Sequence, residues 1–278
     1  MAERVPAGRA DPVFDGPTLR LRVAVSLARA IEWALRHHRL ARLLYGAADL
    51  NGRLSARLLR GEGRGCPCCG GSFRRMARRR ISGFGGLCPR CRSHPRHRAI
   101  ALLLSRGDLR GHRLLHFAPE PVFDQVFARL PGVDRVTADL YAPADLRLDI
   151  TDMDLPDGSF DLILCSHVLE HVPDDRAAIS ELRRVLAPGG LCLVLTPYRP
   201  HRQTYEDPSI TAPLDRMVAF GQQDHVRIYG NDLPDRLRRA GFEVEDRTPP
   251  ELFDPEVVER CELDPSEHLF LCRASAAG

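Results

Sequence analysis

Residues 113–123 read RLLHFAPEPVF, and this stretch decides the fold class. Residues 113–117 have the length and apolar content of a buried β-strand, and the two prolines that follow separate this strand from a helical run. A strand, a short turn and a helix in succession form the repeating unit of α/β proteins. Ligands of such proteins bind at the carboxyl ends of the strands, so the turn at 118–121 is a candidate binding loop.

The same unit recurs towards the C-terminus. Helices are predicted at 121–130, 174–190 and 231–242. Strands are predicted at 113–117, 134–140, 146–150, 160–168, 191–197, 243–247 and 267–274. Short apolar strands separated by helices predict an α/β fold with a doubly wound, Rossmann-like, mostly parallel sheet.

Composition limits the class of protein. The chain has 278 residues, of which 44% are hydrophobic, which is enough for one full α/β domain and a smaller module. No apolar run approaches the ~18–20 residues that span a bilayer. The first residues lack the charged-then-apolar order of a secretory signal. We therefore expect a soluble, cytoplasmic protein.

Charge is divided unevenly along the chain. Residues 1–113 contain 24 arginines and 7 acidic residues, a net charge of +17, whereas residues 114–278 have a net charge of −14. Two interpretations remain open. The basic half docks on the acidic half, or it contacts an anionic partner such as RNA, a phosphorylated substrate or a lipid surface.

Five of the nine cysteines lie between residues 66 and 91. Cys66 and Cys69 form one Cys-x2-Cys knuckle, and Cys88 and Cys91 form a second one 18 residues later. Two intervening residues let the sulfurs of a knuckle converge on one ion, so the pattern predicts a four-thiolate Zn²⁺ site. Four thiolates leave no open position, which favours a structural role. Cys68 is the spare cysteine.

Two longer runs carry a family resemblance. They are LPDGSFDLILCSHVLEHVPD at 155–174 and ELRRVLAPGG at 181–190, and a third run, HVRIYGNDLPDRLRRAGFEVE at 225–245, agrees with them. Over about residues 113–273 the chain resembles class I S-adenosylmethionine-dependent methyltransferases of the type 11 set. The resemblance implies a Rossmann-like fold, methyl transfer and S-adenosyl-L-methionine as cofactor.

The resemblance also implies roles for particular residues. Asp139, at the end of the second strand, accepts hydrogen bonds from both ribose hydroxyls. Asp149 takes the adenine amino group and Ile150 covers the ring. The expected cofactor-binding residues are Phe117, Ala118, Pro119, Glu120, Asp139, Leu140, Asp149, Ile150, Cys165, Ser166 and His167.

The turn at 118–121 departs from the family pattern of an acid followed by a glycine-rich loop. His116 stands at the acid position, and Ala118 and Glu120 stand at glycine positions. A pyrophosphate needs backbone N–H donors, whereas the sulfonium and ammonium groups of S-adenosylmethionine need oxygen acceptors. Pro119 removes a donor and Glu120 adds a carboxylate. The turn therefore argues against NAD or ATP and is compatible with S-adenosylmethionine.

Together these observations predict four segments. Residues 1–17 form a disordered tip, and residues 18–62 form a basic amphipathic helical segment. Such a helix lies on a membrane or binds a partner, or, as we prefer, caps its own domain or a dimer mate, which would make a homodimer. Residues 63–98 form the zinc ribbon, and residues 99–278 form the methyltransferase domain.

Methyl transfer to oxygen or nitrogen can require a general base. The candidates are His225, His201 and His167, which follow the fourth and fifth strands or lie in the polar segment after them. Arg227 is either a ligand for an anionic acceptor or a solvated surface residue.

Three hypotheses for function follow. The preferred one is transfer of a methyl group to a small molecule or to a glycan or natural-product precursor. A second is an RNA methyltransferase whose basic zinc-ribbon half grips phosphates. A third is a non-catalytic scaffold with a retired cofactor pocket, for which the turn without glycine is the best argument.

Overall fold

The computed structural model describes residues 54–77, 86–107 and 111–274. The predicted tip at 1–17 lies outside the described residues, as does the predicted helical segment up to residue 53. Any homodimer contact through that segment lies outside them too. None of the helices in the described ranges is long and apolar enough to cross a membrane.

Strands and helices alternate along the chain. The strands are β1 (Arg60–Cys66), β2 (Gly71–Phe73), β3 (Arg113–Phe117), β4 (Asp134–Asp139), β5 (Leu146–Arg147), β6 (Phe160–Ser166), β7 (Leu186–Leu195), β8 (Tyr198–Arg199), β9 (Tyr205–Glu206), β10 (Arg227–Gly230), β11 (Phe242–Arg247) and β12 (Leu269–Ala274). The helices are α1 (Pro95–Leu104), α2 (Asp124–Phe127), α3 (Asp175–Val185), α4 (Pro213–Phe220), α5 (Leu233–Arg239), α6 (Pro249–Leu252) and α7 (Pro255–Arg260), with 3₁₀ turns at Pro121–Phe123 and Leu169–His171.

Seven strands form the central sheet, in the order β11–β12–β7–β6–β3–β4–β5. The pairs β3–β4, β3–β6, β4–β5 and β6–β7 are parallel, and β12 lies antiparallel between β7 and β11. The predicted doubly wound, mostly parallel sheet is confirmed. The chain leaves β3 for one edge and returns at β6 beside β3, so the strand order reverses between these two strands. Ligands of such sheets bind at this switch point.

Two predicted helices are shorter than expected. The run at 121–130 forms a 3₁₀ turn and one α-helical turn, because Pro131 and Gly132 force the chain to close with tightened bonds from Arg129 N to Val126 O and from Leu130 N to Phe127 O. The helix predicted at 174–190 ends at Val185, where β7 begins.

The segment LAPGG at 186–190 belongs to β7 instead of the preceding helix. Leu186 pairs with Phe160 and Leu191 pairs with Leu162, so the residues between them form an irregularity in the ladder. A Cβ at Gly190 would lie 2.9 Å from two backbone carbonyl oxygens, those of Ala187 and Asp161, and this explains the glycine there.

The sheet buries one hydrophobic core on each face. Because successive side chains of a strand point to opposite faces, alternate residues of β6 belong to different cores. Ile163 and Cys165 of β6 pack into the core that contains the buried residues of α3 and α5. Leu162 and Leu164 point to the other face, where the core also contains Phe73. Phe73 belongs to residues 60–93, which carry the four predicted zinc ligands and are called the cysteine segment below. The cysteine segment and the α/β sheet therefore share one continuous core.

A buried arginine links the cysteine segment to the C-terminal part of the chain through hydrogen bonds. Arg98, in α1, is 0% exposed and donates hydrogen bonds to four carbonyl oxygens. Two of them, from Gly86 and Ser93, lie in the cysteine segment, and two, from Cys261 and Glu262, lie near the C-terminus. The boundary predicted between residues 98 and 99 thus falls inside α1.

The segment between β7 and α5 forms a second, three-stranded sheet, in the order β8–β10–β9. Its central strand, β10, is parallel to β8 and antiparallel to β9. Arg227 at the start of β10 donates to the carbonyl oxygens of Leu169, Val172 and Pro173. The small sheet is therefore fixed to the turn that follows β6.

Candidate functional site

A cavity of about 580 Å³ opens at the carboxyl ends of β3, β4 and β6. It is lined by residues 117–118, 138–141, 148–151, 167–168 and 171–174. Seven predicted cofactor-binding residues are among them: Phe117, Ala118, Asp139, Leu140, Asp149, Ile150 and His167. The cavity lies at the switch point of the sheet, where a ligand was expected.

Asp139 ends β4 with its carboxylate held in place. Its Oδ1 accepts hydrogen bonds from the backbone N–H groups of Tyr141 (2.7 Å) and Ala142 (2.6 Å). In the described part of the chain, nothing donates to Oδ2. One carboxylate oxygen thus orients the side chain, and the other is available to a diol at the cavity wall.

Asp149 is arranged in the same way. Its Oδ1 accepts from the backbone N–H (2.9 Å) and the hydroxyl (2.7 Å) of Thr151, and these two bonds lower the pKa of Asp149. The carboxylate is therefore charged near neutral pH, and none of the residues that the structure describes donates to its Oδ2. Ile150, next to it, is buried and offers an apolar surface.

The turn after β3 keeps a glycine-like backbone without a glycine. Ala118 has φ +46°, in the left-handed region, and its N–H donates to Ala138 O at 2.9 Å. His167, at the end of β6, has φ +57°. Residues other than glycine rarely adopt a positive φ, and both of these residues line the cavity. Two of the four described non-glycine residues with positive φ therefore lie on the cavity wall, the others being Arg92 and Glu262.

Glu120 is not brought to the cavity wall. Its Oε1 accepts a hydrogen bond from Arg96 at 3.0 Å, and its Oε2 lies 2.8 Å from His97 Nε2. Burial raises the pKa of Glu120, but the hydrogen bond from His97 and the charges of His97 and Arg96 outweigh it and lower the pKa to about 2. The carboxylate ties the turn to α1. Pro119 also lies outside the cavity lining.

Cys165 and Ser166 also lie outside the cavity lining. Cys165 is fully buried in the core, and burial raises the pKa of its thiol. Ser166 Oγ is buried and has no hydrogen-bond partner within the described ranges. His116, which replaces the family's acid, packs against Phe123 with ring centroids 5.3 Å apart, and burial lowers its pKa to about 3.

A cluster of histidines and one glutamate adjoins the cavity. Glu170 is 0% exposed, its Oε2 accepts from Thr196 Oγ1 at 3.0 Å, and its Oε1 lies 3.1 Å from His167 Nδ1. The rings of His171 and His225 meet edge to face with centroids 4.7 Å apart. Sequence reasoning missed Glu170, because His225 reaches it only through the fold.

The three candidate bases occupy different environments. His225 is 2% exposed, its Nδ1 lies 3.1 Å from Phe220 O, and its pKa is lowered, first by burial. That contact assigns the proton to Nδ1 and leaves Nε2 as an acceptor. His167 lines the cavity directly. His201 is exposed between β8 and β9 and lies outside the cavity lining.

Arg227 is not a surface residue. It is buried, and its guanidinium pairs with Glu206 at 2.8 Å as well as with the three carbonyl oxygens of the turn after β6. The prediction that Arg227 holds an anionic acceptor or is solvated is therefore wrong, because its donors are used to shape that turn.

The four predicted zinc ligands are brought together. Cys66 Sγ lies 3.6 Å from Cys91 Sγ, Cys69 Sγ lies 3.6 Å from Cys88 Sγ, and all four sulfurs lie within 4.8 Å of one another. Sulfurs about 2.3 Å from a tetrahedral Zn²⁺ are about 3.8 Å apart, so the spacing fits. Cys68 points elsewhere, with Sγ 3.4 Å from His97 O.

The chain is similar to methyltransferases. Residues 120–194 match the family model described as "Methyltransferase domain". A probable S-adenosylmethionine-dependent methyltransferase of Mycolicibacterium smegmatis is 36% identical over 111 residues, which cover 38% of this chain and 38% of that protein. A ubiquinone biosynthesis O-methyltransferase of Psychrobacter cryohalolentis is 46% identical over 39 residues, 14% of this chain and 15% of that protein.

Among solved structures, the YcgJ protein of Bacillus subtilis aligns with 66% of this chain and 100% of its own, with 16% sequence identity and a TM-score of 0.45. The sequence matches cover less than half of either chain. They confirm the prediction of methyltransferase sequence at the switch point, from the turn after β3 to the end of β7.

Proposed function

We propose that this protein transfers a methyl group from S-adenosyl-L-methionine to a small organic acceptor, such as a glycan or natural-product precursor. The observation that carries the proposal is the carboxylate of Asp139, held by two backbone N–H groups with one oxygen free at the switch point of the sheet. A carboxylate in this position suits a ribose diol and repels a 2′-phosphate.

The charges of the cavity wall favour this cofactor over a phosphorylated one. The described residues that line the cavity include three aspartates, Asp139, Asp149 and Asp174, and no arginine. A phosphate there would meet acids, whereas a sulfonium and an ammonium would meet oxygen acceptors. Asp139 would hold the ribose, Asp149 and Ile150 the adenine, and Phe117 and Ala118 the methionine end.

The bound cofactor supplies a methyl group on a positively charged sulfur, and the protein has to align the acceptor with it. His167 lies on the cavity wall and His225 stands behind it with an unprotonated Nε2. Of these two histidines His167 alone lines the cavity, and in this proposal it removes a proton from the acceptor as the new bond to the methyl carbon forms.

A small acceptor agrees better than RNA with the described arginines. Arg64 pairs with Glu262 at 3.1 Å, Arg96 pairs with Glu120, and Arg98 binds backbone carbonyls. These contacts tie the described basic segment to the acidic half, so the charges of Arg64 and Arg96 are used within the chain instead of on phosphates. The chain is also similar over 39 residues to a ubiquinone biosynthesis O-methyltransferase, and the name of that protein refers to a small molecule.

The cysteine cluster, in this proposal, holds a structural Zn²⁺. Four thiolates complete a tetrahedral shell and leave no position for substrate. The cluster also shares its hydrophobic core with the sheet, so the ion would stabilise the domain from the face opposite α3 and α5.

The test is transfer of isotopic label from S-adenosylmethionine into a cell extract, followed by mass spectrometry. We expect labelled products of low mass with the wild-type protein and none with Asp139→Asn. Labelled RNA would replace the proposal by the RNA alternative, and no labelled product in the presence of bound cofactor would favour the scaffold.

A further inference from the structure

We propose that Glu170, His171 and His225 form a second metal site, which binds a divalent first-row transition-metal ion at the acceptor end of the cavity. The ion would coordinate a hydroxyl group of the methyl acceptor, so the inference about the acceptor rests on the proposed function. The metal site itself rests on the geometry alone.

The three residues present one ligand atom each to a common point. A carboxylate oxygen of Glu170 and one ring nitrogen each of His171 and His225 lie within 4.8 Å of one another. Two imidazoles and a carboxylate are a ligand set of iron, zinc, cobalt and related divalent ions, whereas thiolates alone make up the cysteine cluster.

Each ligand is held by a contact on its other polar atom. His225 Nδ1 lies 3.1 Å from Phe220 O, and His171 Nδ1 lies 3.3 Å from Asp224 Oδ2. Glu170 Oε2 accepts from Thr196. A metal-binding histidine usually donates its second N–H to a carbonyl or carboxylate, which fixes the ring and exposes the other nitrogen. His225 satisfies this requirement through Phe220 O, and His171 has a carboxylate oxygen beside its Nδ1.

The remaining polar atoms are buried and unsatisfied. Glu170 Oε1 and His225 Nε2 are inaccessible and accept no hydrogen bond of good geometry from the described residues. Glu170 is 0% exposed, and among the described residues its only ion-pair contact within 4.0 Å is with His167. Burial of an ionised carboxylate is unfavourable unless a cation compensates its charge, and a divalent ion at Oε1 would do so.

The neighbouring arginine does not fill this role. Arg227 donates to backbone carbonyls and to Glu206, not to Glu170. It pulls the turn after β6 against β10, and Val226 N donates to Glu170 O at 2.9 Å. These contacts bring His225 to Glu170 across 55 positions of the chain, so backbone hydrogen bonds fix the two side chains beside each other.

The site faces the acceptor side of the cavity. His171 and His167 both line the cavity, and three protein ligands leave coordination positions open for an acceptor oxygen. An ion there would lower the pKa of that hydroxyl. The oxygen then forms a bond to the methyl carbon, the carbon–sulfur bond breaks with its electron pair returning to sulfur, and His167 takes the hydroxyl proton. The chemical class of acceptor is therefore an alcohol, a phenol or a diol.

The experiment is a metal count on the full chain. Protein loaded with one zinc per chain is dialysed against Co²⁺, and total metal is measured by mass spectrometry of the ions. We expect two metals per chain in the wild type and one in Glu170→Gln and in His171→Gln. Because His171 is half-exposed, its variant is suited to keep the fold if the Glu170 variant does not.

His112→Gln is the matched control, because His112 precedes β3 at the opposite end of the strands from the cavity. We expect it to retain two metals. A total of one metal in the wild type, or two in a folded His171→Gln, would overturn the proposal. Calorimetry with S-adenosylmethionine is scored separately: a single metal with normal cofactor binding removes the metal site and leaves the proposed function.

Discussion

At the scale of single residues, Ala118 shows how the turn without glycine is possible. Its φ of +46° costs an L-residue about 1 kcal/mol or more. We therefore predict that Ala118→Gly stabilises the protein or leaves it unchanged. Ala128, with φ −59°, is the control, because Ala128→Gly should lower stability by up to about 1 kcal/mol. Urea unfolding measures both, and equal losses would contradict the strained backbone.

His116 gives a prediction for pH. Burial holds its pKa at about 3 against an ordinary value of 6.5, so the unfolded chain binds a proton that the folded chain does not. Stability should therefore fall as the pH drops from 6.5 towards 3, by up to about 1.4 kcal/mol per pH unit for one proton. His116→Phe should have a shallower slope in denaturant titrations across this window. If stability depends on pH equally in the wild type and in His116→Phe, the folded protein binds a proton at His116 as readily as the unfolded chain does, which would contradict the lowered pKa.

Residue roles could be read from the sequence where they depend on position along a strand. Asp139 and Asp149 follow strands, and both reach the cavity. Glu120 also follows a strand, but Arg96 and His97 bind it from a helix 23 or more positions earlier. Glu170 and His225 meet only because β10 docks on the turn after β6. Contacts of this range have no signal in local spacing.

At the scale of elements, the cysteine knuckles were predictable and their packing was not. The spacing of the cysteines alone predicts which four sulfurs come together. The packing of Phe73 and Met76 into the core of the sheet depends on long-range contacts. Strand positions were predicted well because buried strands are short apolar runs. Helix ends were predicted less well, since Pro131 and the glycines of 189–190 act through backbone geometry.

Because the core is shared, removal of the proposed zinc should destabilise the whole domain. We predict that Cys88→Ser loses zinc and unfolds at a temperature lower by about 10 °C, as a loss of several kcal/mol implies. Cys68→Ala should retain one zinc per chain, because Cys68 Sγ faces His97 O instead of the cluster. Scanning calorimetry with zinc analysis measures both. Unchanged unfolding in zinc-free Cys88→Ser would mean that the cluster is not structural.

At the scale of the whole molecule, Arg98 joins the cysteine segment to the C-terminal part. Ser93 O also accepts from Cys88 N, so removal of Arg98 would leave three carbonyls without a donor among the described residues, those of Gly86, Cys261 and Glu262, at about 1–3 kcal/mol each before relaxation. We predict that Arg98→Met lowers the free energy of unfolding by about 3 kcal/mol or more, measured in guanidinium. The exposed Arg90 is the control, and Arg90→Met should change stability little. A similar small change at Arg98 would mean that the two parts hold together without it.

The central claim is that S-adenosylmethionine binds at the ends of β3, β4 and β6, with its ribose on Asp139. Calorimetric titration with S-adenosylmethionine tests it most directly, using Asp139→Asn and, at the other end of the same strand, Asp134→Asn. Loss of a charged hydrogen bond should weaken binding about tenfold to a hundredfold in Asp139→Asn and leave Asp134→Asn unchanged. A folded wild-type protein that gives no heat, or equal affinity in all three proteins, would contradict the account.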